Sequence, residues 1–103
     1  MWAGGAGEAG LGYGQSWQNV TSLRNAGATY TNSTGKPIEI AVEAGGFNYC
    51  VLNVYVQGVY TGTQWSGGSG YTQYETISRI VPPNGTYSVN TTNCGVTSWS
   101  ELR

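Results

Sequence analysis

Two stretches of this chain alternate apolar and polar residues with a strict period of two. In Ile38 to Glu43, Ile38, Ile40 and Val42 share one face, while Glu39, Ala41 and Glu43 share the other. In Tyr49 to Gln57, Cys50, Leu52, Val54 and Val56 oppose Val51, Asn53, Tyr55 and Gln57. Successive side chains of a strand point to opposite faces, so this alternation marks strands with one face in a core. No segment sustains the 3.6-residue period of a helix. Parallel strands joined by helical crossovers are therefore excluded. The expected fold is all-β: an antiparallel β-sandwich or jelly-roll-like arrangement of seven to eight short strands.

The remaining elements follow from turn chemistry. Ser16 to Thr21 reads as a first strand with Trp17 as its apolar anchor, followed by a turn at Leu23 to Ala26. Thr29 to Thr31 is expected to pair with Ile38 to Glu43 across residues 32–37. Gln57-Gly58 turns a tight hairpin into Val59 to Thr61. Gly62 to Tyr71 reads as a Gly/Ser loop, and Tyr74 to Val81 as the next strand. Pro82-Pro83-Asn84-Gly85 is a turn, since the prolines fix φ and Asn-Gly tolerates positive φ. Thr86 to Thr91 returns, Asn93-Cys94-Gly95 turns again, and Val96 to Leu102 closes the fold. Residues 1–14 are glycine-rich and read as a linker or stalk exit, leaving residues 15–103 as one domain.

Composition narrows the function. Of 103 residues only 9% are charged, the net charge is -1, and the chain contains neither His nor Asp. There is no basic cluster for nucleic acid. No apolar run approaches membrane-spanning length. His-based catalysis is excluded. The five glutamates are scattered, a poor set for a calcium site, and no cofactor or metal is expected. Residues 1–7 lack the basic and apolar regions of a secretory leader, so synthesis in the cytoplasm is expected.

Eight tyrosines and four tryptophans face a single phenylalanine. Such rings combine large contact area with a polar handle. Four of them, Tyr60, Trp65, Tyr71 and Tyr74, lie in YTGTQWSGGSGYTQY, Tyr60 to Tyr74. Flat aromatic faces stack on sugar rings, and amides such as Gln64 bond sugar hydroxyls. Tyr60, Gln64, Trp65, Tyr71 and Tyr74 are the candidate glycan-binding residues. For Trp65, a subunit contact or a cap on the open end of the sandwich remain alternatives. Trp17 and Trp99 read as structural, and Glu101 with Arg103 as a pair that could join subunits.

Three blocks also carry a resemblance. They are Gly10 to Ile38 (GLGYGQSWQNVTSLRNAGATYTNSTGKPI), Ile80 to Val89 (IVPPNGTYSV) and Ser98 to Arg103 (SWSELR). Together they resemble the small β-domain at the C-terminal end of bacteriophage and prophage tail fibres. The middle, Ala44 to Tyr74, does not align. The resemblance implies a distal receptor-binding module located in the virion at the tail-fibre tip. It implies a homotrimer joined to the rest of the tail fibre, with bacterial surface polysaccharide or lipopolysaccharide as partner. The alternative is a structural trimerisation or capping domain without a ligand. A polysaccharide-degrading domain ranks far behind both, and no enzymatic activity is expected. A particle assembled in reducing cytosol favours reduced thiols at Cys50 and Cys94 over a bridge. Four N-x-S/T sequons, at Asn19, Asn32, Asn84 and Asn90, read as chance in an Asn/Ser/Thr-rich chain.

Overall fold

The computed structural model of the chain describes residues 10–103. They form an antiparallel β-sandwich of two four-stranded sheets. The strands are β1 (Trp17–Asn19), β2 (Thr29–Thr31), β3 (Ile38–Phe47), β4 (Cys50–Val56), β5 (Val59–Ser66), β6 (Thr72–Val81), β7 (Thr86–Thr92) and β8 (Gly95–Leu102). The first sheet has the order β1-β8-β3-β6 and the second β2-β7-β4-β5. Of the expected linker, residues 1–9 lie outside the described residues. Residues 10–14 form a turn, with Gly12 and Gly14 at positive φ.

The alternation read from the sequence sets the core. Ile38, Ile40, Val42 and Ala44 of β3 face Cys50, Leu52, Val54 and Val56 of β4, all buried. Ile77 and Val81 of β6, Tyr87 and Val89 of β7, and Trp99 of β8 complete it. Gln57 and Gly58, with φ of 55° and 76°, make the tight β4–β5 hairpin. Asn84 takes a φ of 64° in the β6–β7 turn.

Four expectations are corrected. β2 does not pair with β3: it pairs with β7 in the opposite sheet, Tyr30 against Tyr87. Residues 32–37 instead cross between sheets. The crossing is fixed by buried Asn32, whose amide nitrogen donates to the carbonyls of Lys36, Val81 and Pro82. Trp17 is no core anchor. It pairs with Leu102 on the outer face of the first sheet and is 52% exposed. The loop expected over Gly62 to Tyr71 shrinks to residues 67–71, because β5 runs on to Ser66 beside β4. Cys50 and Cys94 are joined by a disulfide. It ties the start of β4 to the β7–β8 turn, and Gly46 of β3 lies against it, where a Cβ would come 2.7 Å from that of Cys94.

The polar centre of the sandwich is Glu101. Its carboxylate is fully buried and pairs with Arg24 and Arg103 of its own chain. Arg24 donates to both its oxygens, from Nε at 3.0 Å and Nη2 at 3.1 Å. Arg103 donates at 2.7 Å, Tyr87 Oη at 2.9 Å and Trp99 Nε1 at 3.1 Å. Arg24 also lies over the ring of Tyr30, 4.8 Å from its centroid. Burial alone would raise the Glu101 pKa. The hydrogen bonds from Arg24, Arg103 and Tyr87 and the charge of Arg24 outweigh it, so the carboxyl lies below its ordinary range. Burial and the Glu101 charge together raise the Tyr87 hydroxyl.

Two predictions follow from this core. A depressed carboxyl contributes stability that is present above the unfolded-state value, about 4.3, and is lost as pH falls through the folded one. Acid titration of the melting temperature should therefore show a plateau near neutrality and a decline below about pH 4. Glu101→Gln should cost about 3 kcal/mol, since it strands two guanidinium groups, and should flatten that decline. Separately, the disulfide closes a loop with a separation of 44 residues. On the loop-entropy model its reduction should cost about 4 kcal/mol, read as a shift in the urea midpoint with and without a reductant.

Candidate functional site

The registers give the sandwich two unlike ends. Trp17 pairs with Leu102, and Ser16 and Arg103 exchange backbone hydrogen bonds, so the domain begins and finishes at one end. At the other end lie three connections: the β3–β4 turn at Asn48-Tyr49, the β5–β6 segment at residues 67–71, and the β7–β8 turn at Asn93-Cys94. Five exposed aromatics lie at that end, Phe47 and Tyr74 on the outer face of the first sheet and Trp65 on the outer face of the second. Phe47 closes β3, Tyr49 immediately precedes β4, Trp65 sits near the end of β5, Tyr71 immediately precedes β6, and Tyr74 is its third residue.

This crown rests on an amide framework. Gln73 is buried, and its side chain accepts from Gly68 N at 3.1 Å and donates to Asn48 O. Asn48, at a φ of 71°, accepts from Gly70 N through its Oδ1 at 3.1 Å. Asn48 N donates to Tyr71 O at 3.3 Å. From the third connection, Asn93 Nδ2 donates to Tyr49 O at 2.8 Å. The three connections are thereby bonded to one another, with the disulfide beneath them.

Glycines seat the rings. A Cβ on Gly45 would come 2.6 Å from the Tyr74 ring, one on Gly67 2.7 Å from the Trp65 ring, and one on Gly68 2.6 Å from Cζ of Tyr71. Each ring lies where a side chain would otherwise stand, so backbone supports one side and the rest stays open to solvent. Trp65 is 63% exposed.

Of the residues singled out in the sequence, Trp65, Tyr71 and Tyr74 lie at this end. Tyr60 does not. It sits beside the β4–β5 hairpin at the end that bears the termini, edge-on to Tyr55 at 5.7 Å. Gln64 is paired with Leu52 and so shares a face with the core side of β4, although it is exposed at the sheet edge. Phe47 and Tyr49 were not singled out. The alternation that marks β3 stops at Glu43, whereas the strand continues through Gly45 and Gly46 to Phe47.

No pocket opens among the described residues. No cluster of His, Cys, Asp and Glu able to hold a metal occurs among them either. No helix among them is long and apolar enough to cross a membrane. No family model, no curated protein and no solved structure matches the chain.

Gln73→Leu should detach the β5–β6 connection while leaving the sheets intact. Amide exchange at Gly68 and Gly70 should accelerate at least tenfold, with β3 and β8 unchanged, as read by hydrogen–deuterium exchange.

Proposed function

We propose that this domain is a recognition module that binds a cell-surface glycan through the aromatic crown at the end opposite its termini. The observation that carries the proposal is the placement. Five large, exposed rings surround an amide-bonded, disulfide-tied platform, and β1 and the end of β8 lie at the far end. A module presented by a stalk would offer this end outward. A protein has no folding reason to gather rings in water, and exposed apolar patches mark interaction sites. Tyr and Trp suit sugars, stacking on their C–H faces while the surrounding amides and hydroxyls meet the hydroxyl groups.

The blocks that resemble phage tail-fibre domains supply the context of the proposal. On this reading the domain sits at the fibre tip in the virion, binds bacterial polysaccharide or lipopolysaccharide, and acts by binding rather than turnover. Weak single sites would gain strength from several copies per particle.

One observation also favours self-association. Trp17, Leu102, Glu39 and Ile80 form a single cross-strand row on the outer face of the first sheet, near the termini. Trp17 and Ile80 stand more than half exposed. A homotrimer joined along this row would cover them and leave the crown free. In the purely structural alternative, this row is the functional surface and the crown has no ligand.

Alanine substitution separates these readings. Trp65→Ala should reduce attachment to cells at least tenfold, with a melting temperature within 2–3 °C of the parent, because the ring is exposed. Tyr60→Ala, at the opposite end, should bind as the parent does. Ile80→Asp should lower the mass in solution to that of a single chain. Attachment that survives Trp65→Ala and Tyr71→Ala together would overturn the crown as the binding site.

A further inference from the structure

We infer that the crown selects uncharged glycans and rejects acidic ones, a specificity that rests on the crown being the binding site. The chain holds four basic residues, Arg24, Lys36, Arg79 and Arg103, and none lies at the crown. Arg24 and Arg103 are engaged with buried Glu101. Lys36 donates to Tyr13 O near the start of the domain. Arg79 is the base nearest the crown, and its Nη2 is bonded to Thr61 O at 2.8 Å across the sandwich edge. Thr61 and Trp65 are four residues apart on β5, or about 13 Å along a strand. That exceeds the ~8 Å over which exposed charges act in physiological salt.

The nearby charge is negative. Glu43 pairs with Thr76 on the outer face of the first sheet, one diagonal step from Tyr74, while Glu75 pairs with Ala44 and faces the other side. Glu43 Oε1 accepts from Thr97 Oγ1 at 2.7 Å, which holds its carboxylate at the outer face of the first sheet. An acidic sugar would approach the Glu43 carboxylate and find no guanidinium or ammonium to answer its own. Like charges set against one another exclude partners more effectively than neutral contacts do. The crown's own polar groups are hydroxyls, amides and backbone, which suit neutral sugar hydroxyls. Hexoses and N-acetylhexosamines without carboxylate, phosphate or sulfate are thus the fitting class.

An array of purified bacterial surface polysaccharides, half neutral and half uronic, sialylated or phosphorylated, tests the inference. The full chain should bind neutral members, with affinity unchanged within twofold between 20 and 500 mM salt. Trp65→Ala should remove that binding. The exposed loop variant Ser69→Lys should raise retention of acidic members at low salt, at least threefold over the parent. Binding confined to acidic members and lost in Trp65→Ala would overturn the neutral specificity while keeping the crown as the site. Binding to no member, with attachment to whole cells also absent, would overturn the crown itself.

Discussion

One buried carboxylate organises this sandwich. Glu101 lies on the inner side of the first sheet, and the groups that neutralise it come from both sheets and from the segment between β1 and β2. Tyr87 reaches it from the second sheet, Trp99 from its own strand, Arg103 from the residue after that strand, and Arg24 from the chain before β2. A buried charge is tolerated only when paired and hydrogen-bonded. The surrounding strands must therefore hold one relative position to keep these donors aimed. Tyr30 and Tyr87 pack around Trp99 and shield the cluster with aromatic area. At a total charged content of 9%, three of the nine charged side chains converge here. The end that bears the termini is thus fixed by electrostatics inside a hydrophobic shell.

The opposite end is fixed by different means. Neutral amides, a disulfide and close glycine–ring contacts hold three connections together without a formal charge. On the proposed reading this division has a consequence for recognition. The ion pairs stabilise the fold far from the crown, and the crown keeps neutral hydrogen-bonding groups and open ring faces. Rigid support matters because ordering loose loops on binding costs free energy. Tyr and Trp on a pre-bonded frame lose little freedom when a ligand arrives.

Much of the sandwich was legible in the sequence, because its signals are local. The alternation of β3 and β4 depends on one face being buried, and Gln57-Gly58 and Asn84-Gly85 carry their turn types in their residues. Strand partners were less legible. Nothing in Thr29-Tyr30-Thr31 says that its partner is β7, since that choice is set by Asn32 bonding to Val81 and Pro82 far along the chain. Trp17 misled for the same reason: a large apolar residue at the head of a short strand faces whichever way the register with Leu102 turns it. Glycines also misled. Gly45 and Gly46 gave no sign that β3 runs through them to Phe47, where they seat the Tyr74 ring and the disulfide. Of the candidate site, Trp65, Tyr71 and Tyr74 were visible from aromatic density alone. The separation of Tyr60 and the arrival of Phe47 and Tyr49 depend on which ends of the strands meet.

Heteronuclear NMR titration of the isotopically labelled chain with fragments of a bound surface polysaccharide would test the crown directly. Trp65 should report through its indole N–H, and Trp99 should not, because its Nε1 is buried on Glu101. The account predicts shifts confined to the Trp65 indole and to the backbone amides of residues 47–49 and 65–74. Shifts centred on Trp17, Ile80 and Leu102, with Trp65 unmoved, would contradict it.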